Sequence, residues 1–211
     1  MTGKLIIISS PSGGGKGTLI KELRETVPDL AYSVSWTTRA ARYGEIDGVH
    51  YHFVSEKEFE DQIKSDGFLE YAEVHGHKYG TLRQSVEAFL AEGKDVILEI
   101  DVQGADKVMN LVPDAISIFI LPPSFETLRA RLIARATESS GDLEVRLSNS
   151  RLEVLAFERF KYVVINDELT NAARNLASIV IAERQRPDRQ ISAIRSILDS
   201  FEKSKTQISN F

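Results

Sequence analysis

The sequence predicts an α/β fold in which a parallel β-sheet core is flanked by helices and carries two insertions. Three observations predict it: short apolar runs that suit strands buried on both faces, helical periodicity between those runs, and a glycine-rich turn joining the first run to the first helix. Leu5–Ser9 is the first run. Pro11-Ser12-Gly13-Gly14-Gly15 follows, and residues 18–24 have helical spacing. From 33 to about 81 the pattern changes. Residues 49–54 and 68–74 have β character, and Ser55-Glu56-Lys57-Glu58 forms a capping box ahead of Phe59 and Ile63. Strands with short polar connections and one small helix predict an antiparallel insertion. Residues 95–100 and 115–121 are expected as further core strands, joined by a helix from about 104 to 111. Residues 161–165 make the last core strand. Helices are expected at 125–136, 143–160, 171–186 and 189–203, with Ser124 and Thr170 at N-cap positions. A Ser/Gly/acidic stretch at 137–142 marks the second insertion. It lacks the apolar stripe needed to pack on a core, so it is expected to be mobile without ligand.

The 211 residues are enough for a single core with appendages. Hydrophobic residues make up 42% and charged residues 27%, which excludes a disordered chain. Lys and Arg number 26 against 31 Asp and Glu, a net charge of −5, which argues against a nucleic-acid coat or a binder of anionic membranes. With no cysteine there is no disulfide, thiolate nucleophile or Cys-ligated metal, and the composition fits a reducing compartment. The only apolar run near the N-terminus, Leu5 to Ile8, is too short for a signal peptide or a membrane span. A soluble, cytoplasmic protein is expected.

Residues 10–18, Ser10-Pro11-Ser12-Gly13-Gly14-Gly15-Lys16-Gly17-Thr18, lie between a buried strand and a helix, the context of a phosphate-binding loop. Glycines allow successive N–H groups to turn toward one anion, the helix N-terminus adds its dipole, and Lys16 supplies a mobile ammonium. Gly17 stands where a magnesium-facing hydroxyl is usual, and Thr18 is one place late. Farther on, Arg39, Arg42 and Tyr51 form a second set suited to gripping a phosphate. Glu99 and Asp101 end a buried strand on one side, where ligands of open α/β sheets bind. Glu99 is assigned to magnesium, through water, and Asp101 to the acceptor. The histidines form two pairs, His50/His52 and His75/His77, which fit structural or solvent-facing roles better than a zinc site.

These residues, with Thr37-Thr38-Arg39, Gly44-Glu45, Tyr51-His52-Phe53, Tyr79-Gly80-Thr81, Glu99-Ile100-Asp101-Val102-Gln103-Gly104, Ile120-Leu121-Pro122-Pro123-Ser124 and Val164-Ile165-Asn166-Asp167, carry a resemblance to the guanylate kinases over nearly the whole chain. Two departures are Ala41, where that family usually has proline, and Ala134-Arg135-Ala136-Thr137 in place of Gly-Arg-Gly-Thr. The resemblance implies a phosphate-loop kinase with a core at 1–34, 82–124 and 152–211, a mixed α/β GMP-binding insertion at 35–81 and a small lid at 125–151. It implies transfer of the terminal phosphate of ATP to GMP, and to dGMP, with Mg2+ accompanying ATP. ATP would be held by Ser12, Gly13, Gly14, Gly15, Lys16, Gly17, Thr18, Arg131, Arg135 and Asn166. GMP would be held by Ser35, Arg39, Arg42, Tyr51, Glu70, Tyr79, Thr81 and Asp101. Lys16, Arg39, Arg135 and Arg146 would stabilise the transferring group. The chemistry supports the base assignment independently. Guanine presents two adjacent donors, which the Glu70 carboxylate can accept, while Ser35 and Thr81 can donate to O6. A catalytically inactive guanylate-kinase-like protein-binding module would have lost such groups, and a same-fold sugar-phosphate kinase would not need Glu70. The expected partners are ATP and GMP, not nucleic acid or membrane; a homo-oligomer stays open.

Overall fold

The computed structural model describes residues 3–74, 76–134 and 140–208. In chain order the elements are β1 (Leu5–Ser9), α1 (Lys16–Thr26), β2 (Leu30–Tyr32), β3 (Trp36–Thr37), β4 (His52–Phe53), α2 (Glu56–Lys64), β5 (Phe68–Val74), β6 (His77–Leu82), α3 (Arg83–Ala91), β7 (Asp95–Glu99) and α4 (Val102–Leu111). They continue with β8 (Ile116–Leu121), α5 (Phe125–Ala134), α6 (Ser140–Glu153), β9 (Tyr162–Ile165), α7 (Leu169–Arg184) and α8 (Ile191–Ile208).

Five strands form a parallel sheet in the order β2-β7-β1-β8-β9. Ile6, Ile7 and Ile8 of the central strand are fully buried because helices cover both faces. On one face Ile6 and Ile8 pack with Leu19 and Leu23 of α1 and Leu176 and Val180 of α7. On the other, Leu5 and Ile7 pack with Val86 of α3, Val108 of α4 and Phe160. All five strands end on one edge, and that edge receives the glycine-rich turn at 10–15, Glu99, Asp101 and Asn166.

The second sheet, β4-β3-β6-β5, is mixed rather than antiparallel: β4 runs parallel to β3, while β6 is antiparallel to both β3 and β5. The chain between β3 and β4 is a long loop turned by Gly44 and Gly48 at positive φ, and it returns alongside β3 instead of folding back as a hairpin. Of the predicted 49–54 strand, His52 and Phe53 pair with β3, Tyr51 makes an isolated bridge to Asp47, and Val49 is exposed. The capping box forms: the Ser55 hydroxyl accepts from Glu58 N–H, and Glu58 accepts from Ser55 N–H. It starts α2, which buries Phe59 against Phe68 with ring centroids 4.4 Å apart.

Three other expectations are corrected. The helix expected at 143–160 ends at Glu153 and tightens into a 3-10 turn, Val154–Arg159, which buries Ala156 and brings Phe160 to Phe119. Helix α7 begins two residues early, its first turn capped by Glu168, whose carboxylate accepts from Thr170 N–H, not by the Thr170 side chain. Helix α8 begins at Ile191 rather than 189, because Pro187–Arg189 forms a separate 3-10 turn. Ser124 does cap α5, accepting from Thr127 N–H at 3.1 Å. Among the described residues no helix is long and apolar enough to cross a membrane.

Candidate active site

From β1 the chain turns through residues 10–15 into α1. Gly15 is the pivot. Its φ is 91°, and a Cβ there would lie 2.4 Å from Asn166 Nδ2, so only glycine fits. Helix α1 begins at Lys16 with no side-chain cap, which leaves its first N–H groups for an anion. The outside of the loop is braced. Asn166 Nδ2 donates to the Gly14 carbonyl at 2.9 Å, and Arg131 donates to the same carbonyl at 3.4 Å and to the Asn166 carbonyl at 2.9 Å. Arg131 and Asn166 thus meet the loop's carbonyl edge. Lys16 Nζ rests 3.3 Å from Ser10 Oγ. Gly17 and Thr18 are exposed. A Cβ at Gly17 would be 3.7 Å from Glu99 Oε1, so the carboxylate closing β7 faces the first turn of α1.

An open cavity runs from Lys16 into the space between the two sheets. Glu99 and Asp101 line its core side; Ser35, Tyr51, Glu70 and Tyr79 line the other. Glu70 is 6% exposed and accepts from Thr81 Oγ1 at 2.8 Å. Burial pushes its carboxyl up to about 7, Asp101 adds to the rise, and the Thr81 bond opposes it. Glu70 reaches this place because residue 104 has no side chain: a Cβ there would sit 2.6 Å from Glu70 Oε2. The single hydroxyl hydrogen of Thr81 points to Glu70 in this geometry, so Thr81 orients that carboxylate. Asp101 is the N-cap of α4, accepting from Gly104 N–H at 2.8 Å, and also lines the cavity.

Arg39 lies under the second sheet, 8% exposed, with its guanidinium 5.3 Å from the Tyr51 ring and 5.8 Å from Phe53. Both terminal nitrogens donate to Glu45 at 2.9 Å as a fork, and Nε donates to Tyr79 Oη at 3.3 Å. A buried guanidinium needs a counter-charge, and Glu45 supplies it. The fork in turn holds the Glu45 carboxyl below its usual range. Burial and the Glu99 charge push the Tyr51 phenol up to about 12, so its hydroxyl keeps the proton and can donate. Arg42 is exposed, and its backbone N–H also reaches Glu45, at 2.7 Å.

Not every expected residue is in the cavity. Arg146 Nε and Nη2 reach Ser12 Oγ, at 3.1 and 2.8 Å. Arg135, His75 and residues 137–139 of the expected second insertion lie outside the described residues, while 140–142 of that insertion open α6 instead of forming a loop. His50 Nδ1 accepts from Ile46 N–H, and His52 packs near Trp36. Sequence reasoning gave no role to three residues that shape the site. Glu45 and Gly104 stood inside quoted motifs, and a buried arginine without a partner was the signal for the first. Tyr32, which donates to Glu99 at 3.1 Å, carried no local signal because its partner is distant in sequence. Burial and the Glu99 charge push that phenol well above its usual range, so it remains a donor.

With this geometry in hand, comparison with known proteins is specific. The family model described as guanylate kinase matches residues 2–183. A guanylate kinase of Neisseria gonorrhoeae is 50% identical over 198 residues, covering 94% of this chain and 97% of that protein. A guanylate kinase of Clostridium perfringens (strain SM101 / Type A) is 49% identical over 187 residues, covering 89% and 87%. The crystal structure of guanylate kinase from Anaplasma phagocytophilum superposes with a TM-score of 0.77 at 34% identity, covering 94% of this chain and 95% of that one.

Proposed function

The chain belongs to the guanylate kinase family, and from that premise we infer that it transfers the terminal phosphoryl group of ATP to GMP, and to dGMP, giving ADP and GDP. One observation carries the residue-level reading: a buried carboxylate, Glu70, stands against Gly104 in the same cavity that Lys16 of the phosphate loop lines. Ionised, Glu70 can accept from both N1–H and the amine of guanine; adenine would offer it an acceptor instead. Ser35 would donate to O6. Tyr51, Tyr79 and the Arg39–Glu45 pair would receive the acceptor phosphate together with Arg42. The backbone N–H groups of residues 13–18 and Lys16 would hold the phosphates of ATP, with Arg135 and Arg146 arriving from the lid side.

Magnesium fits this donor set. Glu99 offers a hard oxygen ligand across from Gly17, and magnesium is commonly held by one or two carboxylates together with waters and substrate phosphates. Among the described residues no three His, Cys, Asp or Glu side chains cluster to hold an ion unaided, which suits a metal brought by ATP. Glu99 would hold it through water, and the ion would neutralise charge on the phosphates. Tyr32 keeps the Glu99 carboxylate aimed.

The reaction needs no general base. A phosphate oxygen of GMP is already largely anionic near neutral pH, since its second pKa is about 6. The protein's task is to align two polyanions and offset the charge spread over the transferring group, which Lys16 and the arginines suit. The absence of cysteine fits a cytoplasmic setting. A coupled ADP-release assay over GMP, dGMP, AMP, CMP and UMP tests the assignment. GMP and dGMP should turn over, and AMP should be poorer by about 10⁴-fold. A folded protein inert toward all five would return the chain to the protein-binding alternative, and a preference for AMP would remove Glu70 as the base reader.

A further inference from the structure

Ser12 belongs to the phosphate loop, yet its N–H, its hydroxyl oxygen and its carbonyl all bond to helix α6. Its N–H donates to Glu153 Oε2 at 2.8 Å. Its hydroxyl accepts from Arg146 Nε and Nη2, and its carbonyl accepts from Ser150 Oγ at 3.2 Å. Residues 146, 150 and 153 are spaced four and three apart, so they form one stripe along the helix. Ser150 is 2% exposed, and its one hydroxyl hydrogen is shared between the Ser12 carbonyl and the nearer Arg146 carbonyl, at 2.7 Å. A helix held on the loop by directional, partly charged hydrogen bonds fixes the loop's position more closely than an apolar contact does. As far as residue 151, helix α6 lies within the stretch 125–151 where the lid is expected.

We propose that Glu153 and Ser150 are positioning residues for ATP, acting through Ser12. They hold the crest of the phosphate loop so that the N–H groups after it converge on the phosphates. Neither touches the nucleotide. The proposal rests on the reading of residues 10–18 as the ATP site.

The test titrates ATP into the full chain and into Glu153→Ala, Glu153→Gln and Ser150→Ala, with thermal melting and GMP kinetics measured alongside. A small displacement of binding groups is costly, so Glu153→Ala should weaken ATP binding, and raise KM for ATP, about tenfold, with KM for GMP within about twofold. Its melting temperature should fall by no more than about 4 °C. The glutamine amide oxygen can accept the same N–H, so Glu153→Gln should recover most of the affinity. Ser150→Ala removes only a hydroxyl and should weaken ATP about threefold, which keeps the proposal testable if Glu153→Ala fails to fold. Native ATP affinity in both alanine variants would overturn it. So would equal losses for ATP and GMP with a lowered melting temperature that glutamine does not restore, since that is the signature of a purely structural contact. A wild type that binds ATP but leaves GMP untouched would sink the kinase assignment while the titration still judged Glu153. A wild type that binds no ATP would end both.

Discussion

Glu70 is held in a place that opposes its ionised form, and we propose that only that form reads guanine. Burial and Asp101 push its carboxyl up to about 7. Below that pH the free enzyme carries a protonated Glu70 that no longer accepts two donors. We predict that kcat/KM for GMP falls as pH drops through about 7, and that Glu70→Gln flattens this limb. A pH profile that keeps the same break in Glu70→Gln would assign it to another group. The stability sign runs the other way. Between the unfolded value of about 4.3 and about 7 the native state binds more protons than the unfolded chain, so Glu70's contribution falls as pH rises through this window. At pH 8 Glu70→Gln should therefore be more stable by on the order of 1–3 kcal/mol while GMP use weakens by about 1.5–3 kcal/mol. Urea unfolding and steady-state kinetics on one preparation check both. The facing glycine gives a second prediction. Alanine in a helix interior normally stabilises by about 1 kcal/mol over glycine. At Gly104 the added Cβ would meet Glu70 Oε2 at 2.6 Å, so Gly104→Ala should raise KM for GMP about tenfold or more with ATP binding retained. An unchanged KM would show that the Glu70 side chain can shift at no cost.

Asp101 shows how one side chain serves an element and a site together. It caps α4 and lines the cavity beside Glu70. Asparagine caps nearly as well as aspartate, whereas alanine loses about 1 kcal/mol. Asp101→Asn should therefore leave the melting temperature almost unchanged and remove a negative neighbour of Glu70. The acid limb of the GMP profile should then move to lower pH, because the ionised form of Glu70 is no longer disfavoured by that charge. A limb that stays in place would leave burial as the whole cause. Elements were legible in the sequence where they were long, buried or marked by a cap. The Leu5–Ser9 strand shows two buried faces, and the helix after Ser55 shows its capping box. Strand β2 has only three residues and is entered through Asp29 at positive φ, so no periodicity betrays it. Helix α3 starts at Arg83 behind Leu82, which offers no side-chain cap, and α2's neighbour β4 pairs parallel only because a long loop returns it to β3. Site residues followed the same rule. Lys16 and Glu70 were legible from local chemistry and the family motif, while Tyr32, whose partner Glu99 lies 67 residues on, depended on the fold being closed.

At the scale of the molecule, binding and stability are placed at opposite ends of the parallel sheet. The ends that carry Gly15, Glu99 and Asn166 gather the uncapped start of α1 and the Glu99 carboxylate, where we propose that the ligands bind. The starting end is closed by Asp95, 2% exposed at the first residue of β7. Its carboxylate accepts from Arg184 Nε, Arg189 Nη2 and Lys4 N–H, each at 2.8 Å. Arg184 also donates to the carbonyls of Pro28 and Asp29, so one side chain fastens β1, the entry to β2, α7 and the turn after it. Burial acts to raise the Asp95 pKa, but the two guanidinium groups outweigh it and hold the carboxyl below its usual range. A depressed carboxylate contributes stability that is present above its unfolded pKa of about 3.9 and lost as pH falls through the folded value. Asparagine would fit the space but turn an N–H2 toward guanidinium donors and leave two arginines without their charge partner. We therefore predict that Asp95→Asn loses about 2–4 kcal/mol of unfolding free energy at pH 7, discounted from a fully buried pair because Arg184 is 23% exposed. The difference from wild type should shrink as the pH falls below the unfolded value of about 3.9 toward the depressed folded value, through which the wild-type carboxylate also protonates. Because the site lies at the other end of the strands, kcat and both KM values at 25 °C should stay within about twofold of wild type. Denaturant unfolding across that pH range, paired with the ADP-release assay, decides the matter. A loss of activity larger than the loss of stability would mean that the two ends of the sheet are coupled.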